Sequence, residues 1–266
     1  QMRNLKRALS LALAAIMLVG MMVVSASAAS YNNLTDKDEI VNKDAVSMLV
    51  SLGIIEGKPD GSYAPTENVD RAQMAKMLSV IMNKGVDNSA LYQSVNSGLV
   101  DVNTNWAKGH INYCYTTGII AGRGNGKFDP SATVTALEAA KMLLVAVGYD
   151  PAIEGFEGAD WAINVSVRAD EQGIFEGFTK DLSAPLNRDD AALLIYNALD
   201  VEMIQSYTTN NYPIAYSDHR TILADKYGVI KVQGVVVANE WASLASDDGD
   251  AALKEGKTTI YNGEGI

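Results

Sequence analysis

The chain has 266 residues, of which 48% are hydrophobic and 20% are charged, a composition ordinary for a globular protein of one or two domains. Its formal net charge of −11 argues against nucleic-acid binding by phosphate neutralisation, which requires a basic surface. The single cysteine, Cys114, excludes an intrachain disulfide, and two histidines leave little material for imidazole catalysis or a metal centre. We therefore expect no catalytic residues, no metal and no cofactor.

Residues 1–28 have the pattern of a secretory signal peptide. Three basic residues precede an apolar run from Ala8 to Val24, and the sequence Ala26-Ser27-Ala28 fits the small-residue cleavage pattern. A transmembrane anchor is the alternative, because such a run lies at the lower limit of a membrane span. Cleavage would remove three basic residues and no acidic one, so the net charge would fall from −11 to −14. We predict a secreted protein with no membrane attachment after cleavage.

The rest of the chain contains three copies of one pattern. A glycine followed by two apolar residues stands at Gly53, Gly118 and Gly173, so the copies are 65 and 55 residues apart. Three further markers keep the same offsets from these glycines: a second glycine (Gly57, Gly122, Gly177), a proline (Pro65, Pro130, Pro185) and an apolar residue twelve positions earlier (Val41, Trp106, Trp161). Coinciding offsets of this kind indicate an internal repeat.

Each copy reads as helix, loop, helix. In the second copy apolar residues recur at helical spacing from Trp106 to Thr117, residues 122–130 are rich in turn formers, and a second helix opens at Thr135. Two short helices cannot bury their apolar faces alone, so the copies are expected to pack together. The prediction is an all-α fold of three tandem helix-loop-helix repeats forming a pseudo-threefold bundle over residues 29–205, with repeats at about 31–83, 99–148 and 156–201.

The character of the chain changes after residue 205. Residues 227–239 and 257–261 are rich in β-branched side chains that alternate with polar ones, which is typical of strands. Residues 206–266 are therefore interpreted as a linker and the start of a β-rich segment that the end of the chain truncates.

Taken together, the motifs of the repeat resemble the surface-layer homology (SLH) domain. In the second copy they are LVDV at residues 99–102, NWA at 105–107, GIIAG at 118–122, GKFDP at 126–130 and TALE at 135–138. The first and third copies match through shorter stretches of the same motifs. The resemblance implies a three-pronged spindle of helices outside the cell that holds proteins non-covalently to secondary cell-wall polysaccharide, often through pyruvylated, anionic sugars.

The resemblance also implies the position of the binding site. Family grooves lie between adjacent repeats and use the arginine of a TRAE-like motif, the aspartate of an FxD-like element, and nearby tryptophans and glycines. Carried over by position, the candidate polysaccharide-binding residues are Arg71, Arg188, Asp36, Asp101, Trp106, Trp161, Gly57 and Gly122.

The TRAE-like motif has a structural explanation as well. Thr135 with Glu138, and Asp70 with Gln73, fit capping boxes at helix starts. Capping does not require the arginine, which suits a carboxylate beside a helix N-terminus. On this basis Arg71→Ala is predicted to abolish much of the binding to isolated wall polysaccharide while leaving thermal stability nearly unchanged.

The copies also depart from the pattern. Ala136 replaces the arginine in the second copy, while the third copy is three residues shorter between Pro185 and Arg188 and has Phe156 at the place of Asp101. At most two grooves are therefore expected to bind an acidic sugar.

The aromatic residues and the cysteine have structural interpretations too. Because Trp106 and Trp161 fall on an apolar stripe, a place in the core is favoured over stacking on sugars. Tyr63 and Phe128 are expected to lie beneath their loops, and Cys114 is expected to be a core residue.

The predicted function is non-covalent anchoring of a secreted protein to the cell surface. Two alternatives stay open: a subunit of a self-associating surface-layer lattice, and the anchor of an enzyme whose catalytic domain lies beyond residue 266. The sugar, the number of occupied grooves and the role of residues 206–266 are not determined by the sequence.

Overall fold

A computed structural model describes residues 30–231, 235–239, 253 and 257–261. The predicted signal peptide lies outside the described residues. Within them, no helix is both long and apolar enough to cross a membrane. The chain divides into two compact units between Ile222 and Leu223.

The first unit contains three successive pairs of α-helices. They are α1 (Lys43–Ser51) and α2 (Arg71–Met82), α3 (Lys108–Thr116) and α4 (Ala136–Val147), and α5 (Trp161–Glu171) and α6 (Arg188–Ala198). Short 3-10 turns cover Tyr31–Asn33, Lys37–Glu39 and Ser89–Tyr92. The predicted helical content and the helix-loop-helix order are therefore present.

Side-chain caps fix where the second helix of each pair begins. At α2 the Asp70 carboxylate accepts from the Gln73 amide (2.7 Å), and Gln73 accepts from the Asp70 amide (3.0 Å). Thr135 and Glu138 make the same reciprocal bonds at α4, which confirms both predicted capping boxes. At α6 the Asn187 side chain accepts from the Asp190 amide.

Helices from different pairs pack against one another. The first helix of each pair lies against the second helix of another pair: α1 against α6, α3 against α2, and α5 against α4. The segments before the second helices are also joined by isolated antiparallel bridges: Asn68 with Asn187, Asp70 with Thr133, and Thr135 with Pro185. Each segment therefore contacts both others, and each pair buries its apolar face with their help.

The core contains the predicted loop aromatics and the cysteine. Tyr63 and Phe128 are 1% and 0% exposed, which confirms that they lie beneath their loops. Cys114 is fully buried, donates towards the carbonyl of Ala75 (3.4 Å) and has a pKa raised by burial, as expected of a core residue.

A β-hairpin follows α6 within the first unit, which differs from an all-α unit ending at residue 205. Strands β1 (Ile204–Tyr207) and β2 (Pro213–Ala215) pair antiparallel. The Tyr207 hydroxyl accepts from the amide of Asp150 (2.9 Å) and donates to the Glu154 carboxylate (3.0 Å). Because these bonds attach the hairpin to the link between α4 and α5, the compact unit extends to Ile222.

The remaining elements include short strands in the predicted β-rich segment. Helix α7 covers Ile222–Tyr227, and strands β3 (Val235–Ala238) and β4 (Thr259–Tyr261) pair antiparallel. Among the described residues of the predicted strand at 227–239, the strand covers Val235–Ala238, and β4 falls within the predicted 257–261.

Candidate functional site: two equivalent grooves

Two surface grooves in the first unit are built from equivalent parts of the repeat. Groove 1, of about 260 Å³, takes its polar and aromatic lining from Glu56, Lys58, Gln73, Lys76, Trp106 and Arg188. Groove 2, of about 310 Å³, takes the same kind of lining from Arg71, Arg123, Glu138, Lys141, Glu157 and Trp161.

Each groove combines all three helix pairs. Groove 1 uses the loop and second helix of the first pair, Trp106 from the second pair and Arg188 from the third. Groove 2 uses the loop and second helix of the second pair, Trp161 from the third pair and Arg71 from the first. The packing between pairs, rather than any single pair, therefore assembles these side chains.

The two arginines make the same contacts at the two grooves. In groove 2, Arg71 donates from Nε to the carbonyl of Phe128 (2.8 Å) and from Nη2 to that of Ala121 (2.9 Å). Its guanidinium carbon lies 4.3 Å from the centre of the Phe128 ring.

In groove 1, Arg188 donates to the carbonyls of Tyr63 (2.7 Å) and Glu56 (3.3 Å) and lies 4.8 Å from the centre of the Tyr63 ring. Both guanidinium groups are thus oriented by backbone carbonyls and an aromatic face rather than by carboxylates.

Arg71 is nearly buried, yet one of its nitrogens is available to groove 2. The residue is 4% exposed, and Nη1 makes no hydrogen bond with any described residue. Because no buried side-chain nitrogen or oxygen of the described residues lacks a partner, Nη1 must be reached from the groove. Burial lowers the pKa of Arg71 to about 10, with nearby Arg123 contributing, so the group stays charged at neutral pH.

The predicted aspartates hold the loops in place. Asp36 accepts from the amides of Tyr63 and Ala64 (both 2.7 Å), and Asp101 accepts from those of Phe128 (2.9 Å) and Asp129 (2.8 Å). Burial opposes ionisation of Asp101, but the two amides outweigh it and lower its pKa. Both aspartates lie outside the groove linings, so they position the loop carbonyls that receive the arginines, and a direct contact with a ligand stays a prediction.

The prediction that the tryptophans lie in the core is wrong for Trp106. Its residue is 58% exposed and precedes α3, so it lies off the apolar stripe of that helix. Trp161, the first residue of α5, is half-buried, with the ammonium of Lys141 5.8 Å from its ring centre. Each tryptophan presents its ring to a groove.

The predicted glycines line the grooves where the loop backbone doubles back. A Cβ at Gly122 would lie 2.8 Å from the carbonyl oxygen of Lys127, and one at Gly57 would lie 3.3 Å from that of Ser62. The absence of a side chain at Gly122 is therefore required by the close approach of two backbone segments.

Sequence reasoning missed the lysines and the ion pairs of the grooves. Lys76 and Lys141 lie 65 residues apart, the same offset as the repeat, and this register was the available signal. Lys76 pairs with Glu56 across groove 1 (3.1 Å), and Arg123 pairs with Glu138 across groove 2 (2.7 Å). Burial lowers the pKa of Lys141.

The repeat contains a third set of positions equivalent to those of the two grooves, which we call the third seam. This set has no arginine, lysine or tryptophan. Ala136 stands in place of the arginine, Leu193 in place of the lysine and Val41 in place of the tryptophan. Val41 is 81% exposed, so an aliphatic side chain occupies the surface where the grooves have an indole ring.

A buried polar cluster lies behind groove 1. His110 is 4% exposed, with Nδ1 2.6 Å from the Ser79 hydroxyl and Nε2 3.6 Å from the carboxylate of Asp87. The Ser79 hydroxyl also donates to the carbonyl of Lys76 (3.0 Å). Because Ser79 is buried, this arrangement offers no approach for a substrate. Among the described residues no group of histidine, cysteine, aspartate or glutamate side chains could hold a metal ion.

Comparison with known proteins identifies the repeat in part. The family described as S-layer homology domain matches residues 33–75 and 100–140, which contain α1 and much of the second pair. The chain is 27% identical to "Cell surface protein" of Thermoanaerobacter kivui over 99% of its length and 32% of that relative's. It is 27% identical to "Middle cell wall protein" of Brevibacillus brevis, over 90% of the chain and 22% of that relative.

A third relative, "Amylopullulanase" of Thermoanaerobacterium thermosulfurigenes, is 31% identical over 59% of the chain and 9% of its own length. The chain thus spans about a third or less of the length of these relatives. The family match and the names of the relatives support a location outside the cell, in the cell wall or the surface layer.

Proposed function

We propose that the first unit anchors the protein non-covalently to the cell wall by binding an acidic wall polysaccharide in groove 1 and groove 2. The observation that carries this proposal is the set of an arginine, a lysine and a tryptophan that stand at equivalent positions of the repeat in both grooves. A binding role explains why the three types recur together, since capping and core packing do not require a tryptophan that is 58% exposed.

The fixed arginine is suited to a carboxylate. Carbonyl bonds at Nε and Nη2 hold the guanidinium of each groove, so little further conformational entropy is lost when an anion binds the remaining donors. Because the chain carries a net charge of −11, an acidic polymer gains no long-range attraction, and affinity has to come from these local contacts.

The tryptophans add an apolar surface beside the cations. An exposed indole face can cover the carbon-hydrogen face of a sugar ring while hydroxyl groups stay hydrated. A pyruvyl ketal, which joins a carboxylate to such a ring, would satisfy the arginine and the tryptophan of one groove together.

The proposal includes three equivalent copies around a pseudo-threefold axis, although the family matches cover the first two. The cyclic packing of α1 on α6, α3 on α2 and α5 on α4 supports the arrangement. The near-identical bonds of Arg71 and Arg188 support it independently, because Arg188 belongs to the third copy. On this view residues 29–205 form the anchoring triad.

The names of the relatives support an anchoring role for this segment. It is shared by proteins named "Cell surface protein", "Middle cell wall protein" and "Amylopullulanase", and it covers only 9% to 32% of their lengths. A segment that recurs in proteins with such different names is suited to attachment, which is the function proposed for it in this chain.

Sedimentation of the chain with purified cell walls tests the proposal. We expect binding to wild-type walls, loss of binding after chemical removal of acidic substituents, and loss in the double variant Trp106→Ala, Trp161→Ala. Val41→Ala is the matched control, because it alters the equivalent exposed position of the third seam. Equal binding of the double variant and the control would contradict the proposal.

A further inference from the structure

We propose that the side chain of Glu56 competes with the ligand for the ammonium group of Lys76 in groove 1, so that groove 2 is the stronger site for an anionic sugar. This inference rests on the proposed function and concerns the specificity of the same site. It assigns Glu56 the role of an internal carboxylate that an incoming carboxylate has to displace.

The Glu56 side chain and the Glu56 backbone contact different cations of groove 1. The carboxylate Oε2 lies 3.1 Å from Nζ of Lys76, and the backbone carbonyl accepts from Nη2 of Arg188 (3.3 Å). The Glu56 side chain is 68% exposed, so the carboxylate is held at the groove surface and can be exchanged.

Groove 2 has no carboxylate at this position. Ala121 keeps the backbone contact, accepting from Nη2 of Arg71 (2.9 Å), but has no side chain to reach Lys141. Lys141 instead donates to the carbonyl of Phe156 (2.5 Å) and lies near the face of Trp161. Its charge is therefore directed to the groove beside the aromatic ring, without an ion pair.

The carboxylates of groove 2 lie elsewhere. Glu138 is engaged by Arg123 (2.7 Å), and Glu157 makes no ion pair with any described residue, although its charge favours the protonated form of Lys141. The equivalents of Glu138 and Arg123 in groove 1 are Gln73 and Lys58, and Lys58 pairs with Glu67, outside the groove lining. The two grooves thus each contain one ion pair, but only in groove 1 does it occupy the helix lysine.

The expected effect is moderate. When a ligand replaces the intramolecular Lys–Glu contact, the free energy of an exposed ion pair is lost. Groove 1 should therefore bind a given anionic sugar roughly two- to fivefold more weakly than groove 2. An uncharged analogue of the same sugar should show no such preference, because it does not compete with Glu56.

Titration of the full chain followed by the indole N–H signals of Trp106 and Trp161 separates the two grooves without disabling either. The probe is a methyl hexoside carrying a 4,6-pyruvyl ketal, and its methyl ester is the uncharged control. We expect the Trp161 signal to respond at lower probe concentration than the Trp106 signal. Glu56→Gln should tighten the Trp106 curve roughly two- to fivefold, and Ala121→Glu should weaken the Trp161 curve similarly.

Glu157→Gln is the matched control in groove 2, because it removes a lining carboxylate that does not pair with the lysine; its effect should be smaller than that of Glu56→Gln. The inference is overturned if both tryptophans respond to the acid and Glu56→Gln leaves the Trp106 curve unchanged, or if Trp106 responds first in the wild-type chain. If neither tryptophan responds to the ketal or to wall polysaccharide, the proposed function itself is refuted.

Discussion

Grooves 1 and 2 differ from the third seam in chemistry more than in secondary structure. The second helices α2, α4 and α6 all begin with a side-chain cap, so the local rule for starting a helix is met in every copy. The arginine, lysine and tryptophan recur only in the two grooves, and Ala136, Leu193 and Val41 replace them at the third seam.

This comparison separates what the fold needs from what a ligand would need. The cap of Thr135 and Glu138 persists although the arginine between them is replaced by Ala136, so the helix start does not depend on the cation. The lysine and the tryptophan are replaced at the same seam, which supports the proposal that the three side chains act together.

The variant Arg71→Ala tests whether the arginine stabilises the fold in addition to contacting a ligand. We expect the arginine to stabilise the fold. The change would leave the carbonyls of Phe128 and Ala121, the first of them buried, without their donor and remove the stacking on the Phe128 ring. The free energy of unfolding should fall by about 2–4 kcal/mol, measured by chemical denaturation.

Arg188→Ala is the matched variant, because the same contacts are made by a side chain that is only half-buried. Its loss of stability should be smaller, while binding at groove 1 should be lost. If the Arg71→Ala variant is instead as stable as the parent protein, the result supports the sequence-based prediction of a purely binding role.

Replacing the tryptophans one at a time compares ligand binding at the two grooves. Trp106→Ala should weaken binding at groove 1 roughly three- to tenfold, because an aromatic face is removed, and leave groove 2 unaffected. Its effect on stability should be less than about 1 kcal/mol, since the side chain is 58% exposed. Isothermal titration of wall oligosaccharides measures the first effect and thermal unfolding the second.

Val41→Ala provides the control at the third seam and should change neither quantity. A loss of binding in this variant as large as that in Trp106→Ala would indicate that the third seam also binds the glycan. If Trp106→Ala lowers stability rather than binding, Trp106 has a structural role.

Much of the fold could be predicted because its signals are local. The caps at Asp70 and Thr135 are contained within four residues, and Gly118, which follows α3, adopts a left-handed backbone with a φ of 78°, a conformation that favours glycine. The prediction that Tyr63 and Phe128 lie beneath their loops is likewise confirmed, and both residues stand within local turn sequences.

The parts that were not predicted depend on contacts between distant segments. The hairpin of β1 and β2 is attached to the first unit by bonds from Tyr207 to residues more than fifty positions earlier. The burial of Arg71 likewise depends on carbonyls of a loop from another copy, which no local pattern reveals. Lys76 and Lys141 do stand at equivalent positions of the repeat, but their proximity to the tryptophans follows only from the packing of the helix pairs.

The smallest expected effect concerns acid, and it distinguishes groove 1 from groove 2. His110 lies behind Trp106, with ring centres 6.3 Å apart, whereas the repeat offset places Val165 at the equivalent position behind Trp161. Burial lowers the pKa of His110, although Asp87 opposes this and Lys76 adds to it. The groups that face the imidazole are therefore Ser79, Asp87, Lys76 and Trp106.

The sign follows from the direction of that pKa shift. Because the folded pKa lies below the unfolded value of about 6.5, the unfolded chain binds the proton more readily, and stability contributed by neutral His110 is lost as pH falls below that value. His110→Val, which installs the residue of the third copy, should reduce the slope of unfolding free energy against pH in this window. His219→Asn is the control, since that imidazole is exposed beside Glu202. If the parent and His110→Val lose stability in parallel, the acid sensitivity arises elsewhere, and groove 1 is not distinguished from groove 2 by its buried histidine.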